Sequence, residues 1–245
     1  MGVSVRLYNK DIGVYDRAHY SHGEELEEVK DILSWFKKPG AGVLDLGCGT
    51  GRHAAVLARM GFDVVGLDMS GPAVAAARRL CRGSKKARFF VSDLEDDGLA
   101  GYGARDLVLG LGNTVSHISR ERLLSLFSDV RSTLAEGGAF FFNAIYWANP
   151  FQKTVSETGP DGKVNIVWER ALSEETGTVS LKGHFIRESS THVLNVRCYK
   201  VPEMVNLLRL AGFNKVSWSN RMDMRGRALK GANTVYYKAS AARQG

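Results

Sequence analysis

The stretch VLDLGCGTGRHAA at residues 43–55 decides the fold, because it joins a short apolar run to a helical run through three glycines. Gly47, Gly49 and Gly51 allow the backbone to turn tightly and a ligand to approach it closely. Their spacing is G-x-G-x-G, which differs from the G-x-G-x-x-G that is typical of dinucleotide sites. We therefore expect a strand, a ligand-binding turn and a helix, in that order.

From residue 41 onward, short apolar runs alternate with helix-length amphipathic runs, which predicts βαβ units and a parallel sheet. The expected fold class is α/β, with a Rossmann-like, doubly wound, seven-stranded sheet whose last strand is antiparallel. Its strands are predicted at GVLDLG, FDVVGLD, ARFFVSD, ARDLVLGLG, AFFFNAIYW, KVSWSN and TVYYKAS. A helix that begins after Ser119 and ends at Gly137 is expected between the fourth and fifth strands.

The pattern changes after Asn149-Pro150, where NIVWERAL, TVSLKGHFIRES and THVLNVRCYK follow one another without a helix. Their alternation predicts antiparallel strands. We expect three parts: an N-terminal helical lid at 1–40, a core at 41–150 and 201–245, and an inserted antiparallel layer at 151–200 that covers the substrate. Side chains of this layer that offer stacking or charged contacts are Trp168, Arg170, His184, Phe185 and Arg197, of which alternation lets only half face a pocket.

Three acids stand at the predicted carboxyl ends of three successive parallel strands. Asp45 would repel a pyrophosphate but suits a ligand with a cationic amine. Asp68 is placed to accept the hydroxyls of a ribose. Asp93 is placed to accept a hydrogen bond from an adenine amino group, with Met69 and Leu94 as apolar faces for the ring. Polar strand ends are common, but that explanation fits one such acid better than three.

The segments VLDLGCGTGRHA, VVGLDMS and VSDLEDD resemble motifs I, II and III of the class I S-adenosylmethionine-dependent methyltransferases. The resemblance covers residues 41–145, and the family's later pattern recurs at 201–239. It implies that S-adenosylmethionine is the cofactor. In the implied site, the methionine portion is held by Asp45, Gly47, Gly49 and Gly51, the ribose by Asp68 and the adenine by Asp93.

The fourth strand ends in LGLGNTVSHI, a loop that borders the methyl group in this family. It resembles the G-N-S/T-x-x-H stretch of small-molecule N-methyltransferases such as the glycine and sarcosine enzymes. The resemblance implies that Leu111 contacts the cofactor and that Asn113 and His117 orient the acceptor. His117 would take up a proton from the nucleophile. The alternative is that His117 caps the following helix.

Near the N-terminus, YDRAHYSHGEELEE resembles a Y-D-x-x-Y...E segment of small-molecule and amino-sugar N-methyltransferases. The resemblance implies that Tyr15 and Tyr20 belong to a lid over the cofactor, with rings that could face its sulfonium cation. The alternative is that both tyrosines anchor the first helix on the core.

The net charge of +7 comes from residues 151–245, which hold 15 basic and 8 acidic residues. Arg221, Arg225, Arg227 and Lys230 lie close together there and could attract nucleic acid or an acidic small substrate. A solvated basic face is an equally good interpretation.

Several classes of protein are disfavoured. No apolar run is long enough to cross a membrane, and no export signal is recognisable, so we expect a cytoplasmic protein. Cys48, Cys81 and Cys198 lack the spacing of a disulfide framework or a metal site.

The expected function is transfer of a methyl group from S-adenosylmethionine to a small molecule, at nitrogen or oxygen. Gly112-Asn113-Thr114 stands where base methyltransferases of one kind carry [DNS]-P-P-[YFW], and no cysteine follows the fourth strand for attack on cytosine. Two alternatives stay open. One is an RNA or protein methyltransferase that uses the basic C-terminal segment, and the other is a binding protein that keeps the fold without catalysis. The sequence does not determine the oligomeric state.

Overall fold

The computed structural model describes residues 24–147, 153–158, 163–187, 189–225 and 234–240. Its helices are α1 (Glu24–Trp35), α2 (Arg52–Arg59), α3 (Gly71–Leu80), α4 (Arg120–Thr133) and α5 (Val201–Leu210). Its strands are β1 (Gly42–Leu46), β2 (Asp63–Asp68), β3 (Ala87–Val91), β4 (Arg105–Gly110), β5 (Leu134–Ile145), β6 (Thr154–Thr158), β7 (Val164–Ser173), β8 (Thr178–Phe185), β9 (Ser190–Arg197), β10 (Lys215–Ser219) and β11 (Thr234–Ser240). Two 3-10 turns cover Ala100–Tyr102 and Thr114–His117.

Seven strands form one sheet in the order β10-β11-β5-β4-β1-β2-β3. Strands β1 to β5 run parallel, whereas β11 is antiparallel to both of its neighbours, β5 and β10. The predicted seven-stranded α/β sheet with an antiparallel last strand is therefore confirmed.

Helices cover both faces of this sheet, and β5 shows how the sequence supplies both cores. Phe140 and Phe142 point to one face and pack on Phe127 of α4, with ring centroids 5.7 and 5.5 Å apart. Phe141 points to the other face and packs on Trp35 of α1 at 5.0 Å. Since successive side chains of a strand alternate between faces, the three consecutive phenylalanines contribute to two separate hydrophobic cores.

The strand order reverses between β1 and β4, so their following loops diverge to opposite sides of the sheet. Ligands of open α/β sheets bind in the crevice at such a switch point, outside the carboxyl ends of the strands. The loops that border the crevice here are residues 47–51 after β1 and 111–117 after β4.

The boundary between α4 and β5 differs from the prediction. The helix ends at Thr133, and β5 begins at Leu134, ahead of the glycine expected to stop the helix. Leu134 already pairs with Arg105 of β4, and a register shift follows. Gly137 has φ 72°, so this glycine serves an irregularity within the strand and not a helix end.

The inserted layer is a separate antiparallel sheet in the order β6-β7-β8-β9. The sequence predicted three of these strands and missed β6, whose residues TVSET are mostly exposed on the sheet edge. One face of the sheet is apolar, and Trp168 and Phe185 pack there edge to face at 5.9 Å.

The second sheet is joined to the carboxyl end of β5. Tyr199, which follows β9, donates its backbone N–H to Ile145 at 3.0 Å and accepts that of Trp147 at 3.1 Å. Strand β9 also lies against the Thr114–His117 turn. Within the described ranges, no helix is long and apolar enough to span a membrane.

Candidate functional site

The loop after β1 has the geometry that its glycines predict. Gly47, Gly49 and Gly51 all have positive φ, at 67°, 54° and 80°. A Cβ at Gly47 would lie 2.3 Å from Thr114 Oγ1, and one at Gly51 would lie 2.8 Å from the Ala77 Cβ. These two glycines therefore allow close packing within the protein.

Gly49 differs from the other two glycines, because a Cβ at this position would meet nothing within 4 Å. Its backbone faces open space at the crevice, as a loop that receives a ligand requires. Between the glycines, Cys48 packs its sulfur near Gly66 and Phe89, and burial raises the pKa of this thiol far above its usual value. Cys48 thus contributes to packing, and its raised pKa disfavours the thiolate.

Asp68 ties the glycine loop to the start of α3. Its carboxylate accepts the backbone N–H of Gly49 at 2.9 Å and that of Ser70 at 2.8 Å. Burial raises the pKa of Asp68, and these two hydrogen bonds partly offset that increase. The predicted N-cap Ser70 accepts the N–H of Ala73 at 3.2 Å and begins α3. Asp68 is thereby fixed at the crevice, where each oxygen has lone pairs left for hydroxyl donors.

Asp45 lies at the end of β1, adjacent to Gly66 of β2 in the register. The residue is 3% exposed, and its carboxylate accepts no hydrogen bond from the part of the chain that the structure describes. Burial raises the pKa of Asp45 to about 6, with the positive charge of His53 lowering it and the charge of Asp68 raising it. A buried carboxylate without a hydrogen bond suits a cationic ligand.

Asp93 belongs to a loop after β3 that is held by hydrogen bonds between its own residues. Its Oδ1 accepts the N–H of Glu95 at 3.0 Å, and its own N–H is donated to Asp97 at 2.8 Å. Glu95 in turn accepts the hydroxyl of Ser119 at 2.7 Å. The loop is thus held against the start of α4, and Asp93 is half-buried at the same sheet edge as Asp68.

The three apolar residues predicted around the cofactor have different environments. Met69 is 46% exposed beside Asp68, so its side chain is available to a ligand. Leu94 and Leu111 are each 6% exposed and pack in the cores on opposite faces of the sheet. Leu94 and Leu111 therefore already have partners in the protein, and their contact with a cofactor stays a prediction.

Asn113 is held by the strands next to it. It has φ 61°, and its side-chain oxygen accepts Nδ2 of Asn143 at 3.0 Å while its backbone N–H is donated to Asn143 Oδ1 at 3.1 Å. Thr234 of β11 donates its hydroxyl to the same Asn113 oxygen at 3.4 Å. Ser116 adds a further link, because its hydroxyl accepts the N–H of Ile145. Asn113 therefore fixes the shape of the loop.

Sequence reasoning missed Asn143 and Ser116. The available signal was the single polar residue in the apolar run AFFFNAIYW, since a buried amide in a strand needs hydrogen-bond partners.

His117 ends the 3-10 turn and does not cap α4, since the N-cap is Ser119, which accepts the N–H of Arg122 at 3.3 Å. The N-cap position of α4 is therefore taken by Ser119. Burial lowers the pKa of His117 to about 4. The imidazole is therefore neutral at physiological pH. Its role as an acceptor-orienting base stays a prediction.

The candidates of the second sheet divide between its faces. Trp168 and Arg170 are buried on the face that packs towards β5, and Phe185 is buried with them. His184 and Arg197 lie on the opposite face of the sheet. In the strand register, both occupy positions that alternate with those on the Trp168 face.

Of the other predicted site residues, Arg221 is engaged within the protein and several lie outside the described residues. Arg221 does not have a free guanidinium, because it binds the carboxylate of Asp223 at 2.9 to 3.3 Å. Tyr15, Tyr20, Arg227, Lys230 and the Asn149-Pro150 turn lie outside the described residues. Within the described ranges, no group of three or more His, Cys, Asp or Glu side chains could hold a metal ion.

Comparison with known proteins gives concordant results. A family model described as a methyltransferase domain matches residues 43–138. A putative methyltransferase of Bacillus subtilis, YqeM, is 25% identical over 224 residues, which cover 84% of this chain and 86% of that protein. The glycine/sarcosine N-methyltransferase of Parasynechococcus marenigrum is 36% identical over 114 residues, which cover 43% of this chain and 36% of that protein.

A solved structure shares the fold. It is the S-adenosylmethionine-bound CalS10 of Micromonospora echinaspora, an amino pentose methyltransferase. The TM-score is 0.68 at 16% sequence identity, and the match covers 93% of this chain and 94% of that chain.

Proposed function

Because the chain is an S-adenosylmethionine-dependent methyltransferase with S-adenosylmethionine as its cofactor, we propose that it methylates a small molecule at a nitrogen or oxygen atom. The names of its relatives support this choice, since they include an enzyme of glycine and sarcosine and one of an amino pentose. Both of those acceptors are small, polar molecules.

The observation that carries the proposal is the position of the Thr114–His117 turn. On one side, Thr114 packs directly on Gly47 of the glycine loop, and on the other side the turn lies against β9 of the second sheet. In this proposal, an acceptor bound at the turn lies between the glycine loop and the second sheet. Such enclosure excludes water and suits a small molecule better than a polymer.

The cofactor side of the site is assigned to the edge formed by β1, β2 and β3. In this proposal Asp45 and the open backbone at Gly49 receive the methionine portion. Asp68 binds the ribose and Asp93 the adenine, with Met69 against the ring. The geometry supports these roles, because Gly49 is open, Asp45 has no hydrogen-bond partner among the described residues and Asp68 is oriented by two backbone N–H groups.

Methyl transfer requires the protein mainly to align the acceptor with the cofactor. The cofactor supplies an activated methyl group, which a nucleophile takes by direct displacement. The rigid loop around Asn113 holds the acceptor in line, and neutral His117 accepts the proton that the nucleophile loses. On the same proposal, residues 1–40 form a lid and the 151–200 layer covers the acceptor.

The proposal is tested by incubating the purified chain with radiolabelled S-adenosylmethionine and fractionated metabolite pools, beside bulk tRNA and rRNA. We expect label to pass into a low-molecular-mass fraction, and the variant Asp68→Asn serves as the control for background transfer. Label that appears in RNA and in no metabolite fraction would overturn the small-molecule assignment.

A further inference from the structure

A single carboxylate joins the loop after β3 to the start of α4. Glu95 lies two residues after Asp93, and Ser119 lies two residues after His117. Glu95 Oε2 accepts a hydrogen bond from the hydroxyl of Ser119 at 2.7 Å, and its Oε1 accepts one from the backbone N–H of the same serine. Hydrogen bonds to a carboxylate are stronger than those between neutral groups. Both oxygens of Glu95 thus hold the residue that caps α4, just beyond the Thr114–His117 turn.

Arg122 holds the same loop from the first turn of α4. Its Nε donates to the carbonyl of Leu94 at 3.0 Å, and its Nη2 donates to the carbonyl of Asp97 at 2.9 Å. Asp129, further along α4, accepts a hydrogen bond from the same guanidinium at 2.7 Å and fixes its orientation. The planar guanidinium therefore binds both ends of the segment 94–97 at once.

The apolar core beneath these hydrogen bonds connects the same two segments. Leu94 is 6% exposed and packs in the core that also contains Val115 and Ile118. Val115 belongs to the Thr114–His117 turn, and Ile118 follows that turn directly. Because protein interiors are close-packed, a displacement of Leu94 has to be taken up by its neighbours in this core. The loop after β3 and the turn therefore share a core as well as a polar link.

We propose that Glu95 and Arg122 are positioning residues, which transmit cofactor binding at the loop after β3 to the Thr114–His117 turn and so fix the turn for the acceptor. The inference rests on the proposed function, because that function assigns the adenine to Asp93 and the acceptor to the turn. Cofactor binding orders the loop, and the hydrogen bonds to α4 pass this order to the turn. Since coupling between two sites is reciprocal, an acceptor held at the turn also strengthens cofactor binding.

A second polar contact of α4 separates this role from general support of the helix. Arg120 lies in the same helical turn as Arg122, but it pairs with Glu203 of α5. Arg120→Gln removes this attachment of α4 and leaves the hydrogen bonds of Arg122 to the loop intact. It is therefore the matched control for Arg122→Gln.

The experiment is amide hydrogen exchange, read by NMR spectroscopy on the full-length protein with and without saturating S-adenosylhomocysteine. The reporters at the turn are the amides of Ser116 and Ile118. Their N–H groups donate to the carbonyls of Asn113 and Val115, so neither amide loses its partner when Glu95 is replaced. We expect S-adenosylhomocysteine to slow their exchange about tenfold in the native chain, within the usual range of coupling between sites.

The variants show which contacts carry this effect, with calorimetric titration used to set a saturating ligand concentration for each. In Glu95→Ala and in Arg122→Gln, the slowing at the turn should fall below about twofold. Glu95→Gln keeps one carbonyl oxygen for Ser119 and should retain part of the slowing. Arg120→Gln should behave as the native chain does.

The loop after β3 tests the proposed function separately. Its reporters are the amides of Glu95 and Asp97, which both donate to Asp93. If saturating S-adenosylhomocysteine leaves their exchange unchanged in the native chain, the adenine assignment is wrong and the coupling proposal falls with it. If these amides slow while the turn amides do not, the adenine assignment stands and the coupling proposal alone is overturned.

The variants supply two further outcomes that contradict the coupling. Full slowing at the turn in Glu95→Ala would show that its carboxylate transmits nothing. Equal losses in Arg120→Gln and Arg122→Gln would show a general loosening of α4, so that Arg122 is only structural. Should Glu95→Ala fail to fold, full slowing in Arg122→Gln overturns the proposal instead.

Discussion

Asp68 orients the glycine loop by accepting the N–H of Gly49, and in our proposal the same carboxylate binds the ribose. We expect Asp68→Ala to weaken binding of S-adenosylhomocysteine by about 1.5 to 3 kcal/mol, the range for hydrogen bonds to a charged group. Calorimetric titration measures the loss. Asp68→Asn is the control, since it keeps the size of the side chain and removes the charge. Unchanged affinity in both variants would remove the ribose assignment.

The buried, ionised carboxylate of Asp45 is expected to destabilise the cofactor-free protein. The pKa of Asp45 in the folded protein is about 6, above its usual value, so protonation of this carboxyl favours folding. This favourable contribution is complete below about pH 4 and is lost as the pH rises through 6. Asp45→Asn should therefore raise the free energy of unfolding of the cofactor-free protein by about 1 to 3 kcal/mol at pH 8. Urea denaturation at pH 8 and pH 4 checks this. A gain of the same size at both values would contradict the titration argument.

His117 has the opposite electrostatic character, because burial holds it neutral down to about pH 4. Its protonation should consequently leave no inflection in the pH profile of kcat between pH 5.5 and 8. We expect His117→Gln to lower kcat roughly 100-fold, within the usual range for loss of a general base. Steady-state rates with the acceptor found in the metabolite screen measure both effects. A native profile with an inflection near pH 6.5 that vanishes in His117→Gln would show that His117 titrates normally.

At the scale of elements, the sequence predicted the strand, turn and helix units well where local pattern and tertiary pairing agree. The G-x-G-x-G turn and the N-cap at Ser70 are examples. Local pattern failed where pairing decides, as at Leu134, which joins a strand because Arg105 lies opposite it. Strand β6 was missed because an exposed edge strand carries no apolar alternation.

The candidate site shows the same division. The acids at strand ends were predictable, because parallel strands bring their carboxyl ends to one edge. The links from Asn113 to Asn143 and from Glu95 to Ser119 were not, since each joins residues that are far apart in sequence. The ion pair between His53 and Glu28 likewise depends on how α1 docks, and no local pattern records that.

Strand β7 contains a polar group whose removal should stabilise the protein. Asn165 is 2% exposed, and both polar atoms of its side chain lack hydrogen-bond partners. The register of the β6–β7 pairing shifts between the two residues that flank Asn165. The amide side chain is therefore held in the interior without a hydrogen-bond partner. Because an unsatisfied buried polar group costs about 1 to 3 kcal/mol, we expect Asn165→Leu to raise the free energy of unfolding by up to this amount.

Thermal and urea unfolding measure the effect of Asn165→Leu, with Asn195→Leu at an exposed position of β9 as the matched control. The control should change stability by less than about 0.5 kcal/mol. A loss of stability in Asn165→Leu would mean that the amide is satisfied in solution.

At the scale of the whole molecule, part of the positive charge of the described residues is paired with carboxylates. Arg221 is neutralised by Asp223, Arg120 pairs with Glu203, and Lys182 lies 3.3 Å from Glu169. Carboxylates are thus interspersed with these cations. A protein that follows a phosphate backbone instead presents clustered, unpaired cations along one groove.

This distribution predicts how the protein responds to nucleic acid. Each phosphate that a cation neutralises releases counterions, so a true RNA-binding surface loses affinity steeply as salt rises. Paired cations have little to release, and we expect weak binding to bulk tRNA with a log–log salt slope of about one or less. Filter binding between 50 and 300 mM salt measures the slope, and Asp223→Asn tests its cause, because freeing Arg221 should steepen it. Micromolar binding with a slope of several units, together with methyl incorporation into the RNA, would show instead that the acceptor is a polymer.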